Sequence, residues 1–277
     1  MEKKYGLTFH RIRKQKGYKL TSFEEIGLSK SALSEFERGN SVPRFDKVVK
    51  ALQLMGIPLY EFEQFVQYSN HEGIDKFFRE LYPAYFGQEK AKIEDLMRKT
   101  SDKMLKISMK CLLLELDDDI TKTITSSEQE FIIDYFENLQ NWGIYELYIL
   151  SSVIMQLPVR EIIYLLKALR EETQQQLGFI HYRMRIIQIA VKGAMKLIFS
   201  GQKEVSKELL DAAFNFTDPD DLFERNLVHF VRGFWCIHFG NKQEGYKKID
   251  ESLEIVKILS SIDIHDFLQS RVKKYLK

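Results

Sequence analysis

The chain has 277 residues, which exceeds the usual size of one domain and indicates one small and one large domain. Hydrophobic residues make up 44% and charged residues 29% of it, a balance typical of globular proteins that excludes a disordered chain. The net charge of +1 conceals an asymmetry, because residues 1–50 carry twelve Lys or Arg against six Asp or Glu, whereas the remainder carries 29 against 34. A basic footprint for nucleic acid is therefore expected only in the N-terminal part.

The composition favours helix along the whole chain. Only five prolines and fourteen glycines interrupt it, and no segment has the alternating pattern of a strand. No window reaches the roughly 18 uninterrupted apolar residues of a membrane span, and the N-terminus lacks the apolar segment of a signal peptide. We therefore expect an all-α protein that resides in the cytoplasm and has no membrane partner.

The first 68 residues form a predicted domain of five short helices. Its first helix offers Leu7, Phe9 and Ile12 to a core. A polar stretch at residues 69–73 predicts the linker to a second domain over residues 74–277. The five helices are predicted at residues 5–16, 21–26, 29–38, 45–55 and 59–68.

The third of these helices has the pattern of a helix that enters the major groove of DNA. Ser29 is a good N-terminal cap, Gly39 is a good C-terminal stop, and Leu33 and Phe36 fall on one inward stripe. Short polar side chains near a helix start can approach base edges, and Lys or Arg can bind guanine or phosphate. This chemistry makes transcription regulation the leading hypothesis. The predicted outward face consists of Lys30, Ser31, Ser34, Glu35 and Arg38.

The second domain reads as a succession of amphipathic helices joined by short polar turns. Near its C-terminal end, two segments correspond at a constant offset of 39 residues. Small residues at close helix crossings, with a glycine between the helices, are typical of tetratricopeptide-type hairpins. We therefore expect a right-handed α-solenoid of degenerate tetratricopeptide-like hairpins whose concave face binds a ligand. The corresponding positions are Ala194, Leu197, Gly201, Ser206, Leu210 and Ala213 in one segment and Gly233, Cys236, Gly240, Gly245, Ile249 and Ser252 in the other.

Several segments together resemble the Rgg/GadR/MutR regulators of Gram-positive bacteria. The most specific is the Ser-Lys-Ser-x-x-Ser-x-Phe-Glu-Arg-Gly pattern at residues 29–39. Residues 1–3, 11–14, 142–148 and 233–253 also resemble that family, so the likeness spans nearly the full length. The resemblance implies a dimeric, cytoplasmic transcription factor, and several such regulators are controlled by short hydrophobic peptide pheromones bound in the repeat domain.

The resemblance also implies roles for residues of the first domain. Two such domains of a homodimer would place their recognition helices in successive major grooves of an inverted repeat in double-stranded DNA, with residues 251–277 pairing across the two-fold axis. Arg13 and Glu37 match the positions of a buried, structural ion pair. For each basic residue the alternative is a solvated surface charge. The implied DNA contacts are Lys30, Ser31, Ser34 and Arg38 in the groove and Lys14, Arg44 and Lys47 on phosphates.

The effector groove departs from the pattern of peptide-sensing relatives. An arginine or asparagine shortly after the Trp and Glu segment helps to hold the peptide in those proteins, but residues 149–156 contain neither. Arg183, Arg185 and Arg232 become the candidate carboxylate anchors instead. The candidate lining residues are Asn226, Phe230 and Phe234, although an aromatic stripe at helical spacing is also typical of a core.

Other functions find less support in the sequence. No glycine-rich phosphate loop, metal-ligand spacing or nucleophile motif occurs, so we expect neither an enzyme nor a cofactor or metal. Two alternatives stay open. An acid signal could replace the peptide by acting on His181, His229 and His238, or the repeat domain could be an interaction scaffold. A contact with RNA polymerase also stays open.

Overall fold

The computed structural model of the protein describes residues 2–67, 74–117, 119, 121–172 and 180–276. Its contacts divide the chain into two compact units, Met1–Lys76 and Phe77–Lys277. The predicted linker at residues 69–73 lies outside the described residues. Each unit has its own apolar core, as the domain sizes require.

The first unit contains five helices in its described part, each within three residues of its predicted ends. The second of them is a 3₁₀ helix, which suits a short connector between longer helices. The helices are α1 (Glu2–Gln15), the 3₁₀ helix (Leu20–Ile26), α2 (Lys30–Arg38), α3 (Phe45–Leu54) and α4 (Leu59–Gln67).

Aromatic side chains form the centre of the first core. Phe9 is fully buried and meets Phe36 edge to face at a centroid distance of 5.5 Å, and Phe23 lies 5.9 Å from the Phe9 ring. The expectation that Leu7 contributes to this core is wrong, because its side chain is 53% exposed. Two residues before Phe9, Leu7 points to the opposite side of a helix that has 3.6 residues per turn.

The second unit consists of eleven α-helices and one short 3₁₀ helix in its described residues. Most are separated by turns of a few residues, which favours antiparallel packing of neighbours. They are α5 (Ile74–Phe86), α6 (Lys90–Lys99), α7 (Lys103–Glu115), α8 (Ser126–Glu137), α9 (Ile144–Val153), the 3₁₀ helix Ile154–Gln156, α10 (Val159–Glu172), α11 (Ile180–Phe199), α12 (Lys203–Asn215), α13 (Leu222–Phe239), α14 (Lys242–Leu259) and α15 (Ile262–Tyr275).

The offset of 39 residues corresponds to two helical hairpins, α11–α12 and α13–α14. At the crossing of α13 and α14 the backbones approach so closely that a Cβ on Gly233 would lie 2.8 Å from the carbonyl oxygen of Gly245. The equivalent positions of the first hairpin, Ala194 and Ser206, are fully buried. The described residues contain helices and no strand, so the all-α, tetratricopeptide-like class is confirmed.

Candidate functional site

Helix α2 presents a polar face that is set up by its two ends. The Ser29 hydroxyl accepts a hydrogen bond from the Ala32 backbone N–H at 3.2 Å, and Gly39 ends the helix with φ of 77°. Leu33 and Phe36 on the inner stripe are buried. The opposite side exposes short polar and basic side chains near the helix start, which is the chemistry of a base-reading surface. Lys30, Ser31 and Arg38 are exposed there, and Ser34 is half-buried.

The basic groups of this surface differ in how freely they could meet a phosphate. Lys14 is exposed, and Arg44 is exposed beside Asp46, with Nε 3.1 Å from the carboxylate. Arg38 pairs with Glu35 on the same face. Lys47 is half-buried, and its Nζ donates to the Ile26 carbonyl oxygen at 2.7 Å. The structure therefore gives Lys47 a hydrogen bond at the end of the 3₁₀ helix.

A buried ion pair joins α1 to α2. Arg13 Nε lies 2.5 Å from Glu37 Oε1, and Arg13 Nη2 lies 2.8 Å from Glu37 Oε2. His10 Nδ1 is 2.5 Å from the same carboxylate. Burial acts to raise the pKa of Glu37, but the hydrogen bonds from Arg13 and His10 outweigh it and leave the pKa lowered. The pair holds the back of the recognition helix on α1.

The second unit contains a largely apolar, partly open cavity of about 110 Å³. Its walls come from every odd-numbered helix of the unit, α5, α7, α9, α11, α13 and α15. In a stack of hairpins, helices that alternate in this way form one layer, and the cavity lies against that layer. Tyr82, Phe230 and Phe267 contribute aromatic surface.

One wall of this cavity carries a buried polar cluster around Glu115. The Lys192 Nζ lies 2.8 Å from one carboxylate oxygen, and the Tyr85 hydroxyl donates to the other at 2.5 Å. Lys192 also donates to the Ser151 carbonyl oxygen at 2.8 Å. Burial and the neighbouring Glu115 charge raise the pKa of Tyr85 well above its usual value. Tyr85 therefore stays protonated and serves as a donor.

Helix α15 places two cations at the C-terminal end of α7, beside Glu115. Arg271 Nη1 donates to the Glu115 carbonyl oxygen, and Lys274 Nζ donates to that oxygen at 2.9 Å. The carbonyl groups at the C-terminal end of α7 have no partners within that helix and carry partial negative charge, so cations are favourable there. The two side chains attach α15 to the end of α7.

Two family models match the sequence. One, described as "Helix-turn-helix", covers residues 9–62. The other, described as "HTH-type transcriptional regulator Rgg, C-terminal domain", covers residues 88–270, which is more than half of the chain. The chain belongs to the Rgg family. It is thus a DNA-binding transcriptional regulator, and its first unit is the helix-turn-helix domain.

Solved structures resemble this Rgg-family regulator over nearly its whole length. The SHP pheromone receptor Rgg2 of Streptococcus dysgalactiae is 19% identical, with a TM-score of 0.75 that covers 98% of this chain and 99% of the receptor. A transcriptional regulator from Listeria monocytogenes EGD-e is 16% identical, with a TM-score of 0.78 over 100% of this chain and 98% of its own. PlcR of Bacillus thuringiensis, in complex with the peptide PapR7 and DNA, is 14% identical, with a TM-score of 0.61 over 99% and 100%. At these identities the likeness shows the fold.

The three arginines predicted as effector anchors do not line the cavity of this Rgg-family chain. Arg183 pairs with Asp218 at 2.7 Å and with Asp221 at 2.9 Å. Arg232 pairs with Asp211 at 2.7 Å. The guanidinium groups of Arg183 and Arg232 are therefore held by acidic residues on neighbouring turns and helices.

Arg185 lies over two aromatic rings instead of binding an acid. Its guanidinium carbon is 4.4 Å from the Tyr82 ring centroid and 4.2 Å from that of Tyr148, and Nη1 donates to Gln188. Tyr82 and Gln188 line the cavity, so Arg185 lies behind two lining residues.

The other predicted effector residues separate into one that lines the cavity and two that belong to the packing. Phe230 lines it. Phe234 is completely buried, and Asn226 donates to the Ser252 carbonyl oxygen at 3.1 Å across the α13–α14 crossing. Hydrophobic spacing alone does not distinguish a lining phenylalanine from a core one.

The charged cavity residues Glu115, Lys192 and Arg271 were not among the sequence candidates. Each is a charged residue within an apolar helical stripe, for example Arg271 one turn after Phe267. A charge in such a position is rarely buried without a partner, so this signal could have singled them out.

The histidines of the acid-sensing alternative lie in separate surroundings. His181 is exposed on α11, His229 Nε2 is 2.9 Å from Glu251, and His238 Nδ1 is 3.0 Å from the Phe234 carbonyl oxygen. In the described part of the chain, no group of three or more side chains could hold a metal ion. Among the same residues, none of the helices combines the length and the apolar character that crossing a membrane requires.

Proposed function

We propose that this regulator responds to a short hydrophobic peptide bound in the cavity of its second unit. The observation that carries the proposal is the cavity itself, which six helices line with aromatic and aliphatic side chains around one polar wall. Pockets of this kind, apolar with a few convergent polar groups, suit an apolar ligand that has a polar end. The similar structures support the choice of ligand, since one is a pheromone receptor and another holds a peptide together with DNA.

The first unit supplies the DNA contact. Two copies in a homodimer place α2 in successive major grooves of an inverted repeat, with Lys30, Ser31, Ser34 and Arg38 toward base edges. Lys14 and Arg44 bind phosphates on either side. These roles are supported by the exposure of basic and polar side chains on one small domain, namely Lys14, Lys30, Ser31, Arg38 and Arg44.

The homodimer forms through the late helices. Ile258, Leu259 and Ile262 at the junction of α14 and α15 are 75%, 68% and 66% exposed, which is unusual for neighbouring large apolar side chains. Burying them against a second copy removes this surface from water. We place the protein in the cytoplasm, where its DNA lies.

The effector acts by differential affinity. A ligand changes transcription only if it binds one arrangement of the dimer better than another, so occupancy of the cavity is not sufficient. The peptide contacts helices from both ends of the second unit, α5 and α15, and is thereby placed to bias their packing.

Fluorescence anisotropy of the full-length protein tests this function. Labelled duplexes from its own upstream region are titrated at several salt concentrations against scrambled duplexes, with and without a pool of synthetic apolar peptides. We expect specific binding that exceeds the scrambled control by about a thousandfold and that changes with peptide. Equal, steeply salt-dependent binding to both duplexes would instead favour a scaffold whose basic patch holds any DNA.

A further inference from the structure

Arg271 is a buried cation with unused hydrogen-bonding capacity in the cavity wall. Its side chain is 8% exposed and its guanidinium lies over the Phe267 ring at 4.3 Å. Nη1 donates to the Glu115 carbonyl oxygen, and the Tyr275 phenol lies beside the group. Among the described residues, Nε has no hydrogen-bond partner. A buried guanidinium N–H without a partner is costly, so it points to an acceptor that the described residues do not supply.

Among the described residues, no carboxylate forms an ion pair with Arg271. The charged residues that line it are Glu115, Lys192 and Arg271. Glu115 is paired with Lys192 at 2.8 Å and accepts a second hydrogen bond from Tyr85. The carboxylate is therefore neutralised by Lys192, and among the described lining residues the positive charge of Arg271 is left over.

We propose that this wall binds the carboxylate of an otherwise apolar effector, with Arg271 as the anchoring residue. The inference rests on the proposed function and specifies which end of the ligand enters first. A carboxylate beside the Arg271 guanidinium accepts charge-assisted hydrogen bonds from this group and supplies negative charge, while the aromatic walls cover the apolar part. Because this wall is built from α7, α11 and α15, a ligand carboxylate bound there connects the three helices.

Two classes of molecule carry this chemistry, the C-terminus of a hydrophobic peptide and a medium-chain fatty acid. Matched probes separate them. N-acetyl-leucyl-leucine and its C-terminal amide represent the peptide, and octanoate and octanamide represent the fatty acid. Within each pair the apolar body is the same and only the negative charge differs.

Isothermal titration of the full-length protein with the four probes measures the preference. We expect at least one acid to bind about tenfold or more tightly than its amide, since hydrogen bonds to a charged group are roughly twice as strong as neutral ones. The acid that shows the preference identifies the source of the carboxylate. Arg271→Gln should abolish the preference, and Arg271→Lys should retain part of it. Arg232→Gln, which removes an arginine paired with Asp211 outside the cavity, should leave it unchanged.

Hydrogen–deuterium exchange of the unmodified protein covers the case in which Arg271→Gln fails to fold. The preferred acid should slow exchange in α15, and its amide should not. Equal affinity of acid and amide, absence of binding by both acids, or a preference that survives Arg271→Gln overturns the carboxylate site. Operator binding is measured on the same preparation, because specific DNA binding without acid preference rejects this inference and leaves the proposed regulator intact. Acid preference without specific binding to these duplexes supports the site and rejects the proposed operator binding.

Discussion

The two units of this regulator arrange their charged side chains in opposite ways. In the helix-turn-helix unit, Lys30, Ser31 and Arg38 are exposed on one helix, and their orientation follows from the caps and inner stripe of that helix. In the repeat unit, Glu115 and Arg271 meet around a cavity although they are 156 residues apart in sequence. A surface that binds a large, highly charged partner can be built from local sequence, whereas a cavity for a small ligand needs contacts between distant helices.

The Arg13–Glu37 pair is the exception within the first unit, because it is both charged and buried. Arg13→Met should destabilise this unit by about 3 to 5 kcal/mol, since Glu37 is then buried without its main partner. Chemical denaturation of the full-length protein, followed by circular dichroism, measures the loss as an earlier transition. Arg11→Met is the control on the same helix, because Arg11 is exposed.

The double variant Arg13→Met with Glu37→Met tests whether the loss comes from leaving one charge buried alone. Replacing both charges with apolar groups of similar size should recover most of the stability, because no buried charge is left alone. If Arg13→Met alone is as stable as the Arg11→Met control, the pair has no structural role and the two units do not differ in the way described.

Substitutions on the exposed face of α2 should weaken DNA binding without lowering the stability of the fold. Ser31→Ala combined with Arg38→Ala should weaken operator binding by about 2 to 4 kcal/mol, because contacts to base edges contribute about 1 to 3 kcal/mol each. Fluorescence anisotropy with the operator duplex measures the change. Arg160→Ala on α10, a 93% exposed arginine of the other unit, should bind as the unmodified protein does. Unchanged operator binding by the double variant would assign base recognition to another surface.

The close crossing of α13 and α14 is a feature of the repeat unit that tolerates no added volume. Gly245→Ala should destabilise this unit by about 1 to 3 kcal/mol, because the new Cβ would lie 2.6 Å from the Gly233 carbonyl oxygen and backbone must move. Thermal unfolding measures the effect. In Gly193→Ala the Cβ meets only side-chain carbons, the nearest at 2.9 Å from Leu166, which can rotate away. A melting temperature that falls equally in both variants would contradict the importance of the backbone approach.

How much of each binding surface could be predicted from the sequence also depends on whether its residues are close together in the chain. The α2 surface could be predicted because Ser29, Leu33 and Gly39 specify the helix and its orientation within eleven residues. The hairpin crossing could be predicted because its small residues repeat at a constant offset. Both signals are contained in short stretches of chain.

The cavity could not be predicted in this way, since its polar wall depends on packing between helices far apart in sequence. Lys192 and Glu115 are 77 residues apart, and no local pattern indicates that they meet. Arg183 and Arg232 are of the residue type that often anchors a carboxylate ligand, but they pair with Asp221 and Asp211 instead. Whether an arginine is satisfied by the protein is decided by the fold and not by its neighbours in the chain.

The smallest expected effect is that of low pH on the buried Arg13–Glu37 ion pair. The pKa of Glu37 lies below 4.5, its ordinary value, because hydrogen bonds from Arg13 and His10 outweigh burial. A carboxyl group whose pKa is lowered on folding stabilises the native state above its unfolded pKa, and this contribution is lost as the pH falls through the folded pKa. The difference in unfolding free energy between the unmodified protein and Glu37→Gln should therefore shrink as the pH falls below about 4.5.

Urea denaturation of both proteins at a series of pH values measures that difference, and groups that do not contact Glu37 cancel because the two chains share them. Asp46→Asn is the matched control, since Asp46 carries an exposed ion pair with Arg44 that solvent screens. Its difference from the unmodified protein should stay small across the same range. A gap for Glu37→Gln that is independent of pH down to strongly acidic conditions would mean that folding leaves the pKa of Glu37 unchanged, and that the Arg13 and His10 contacts do not favour its ionised form.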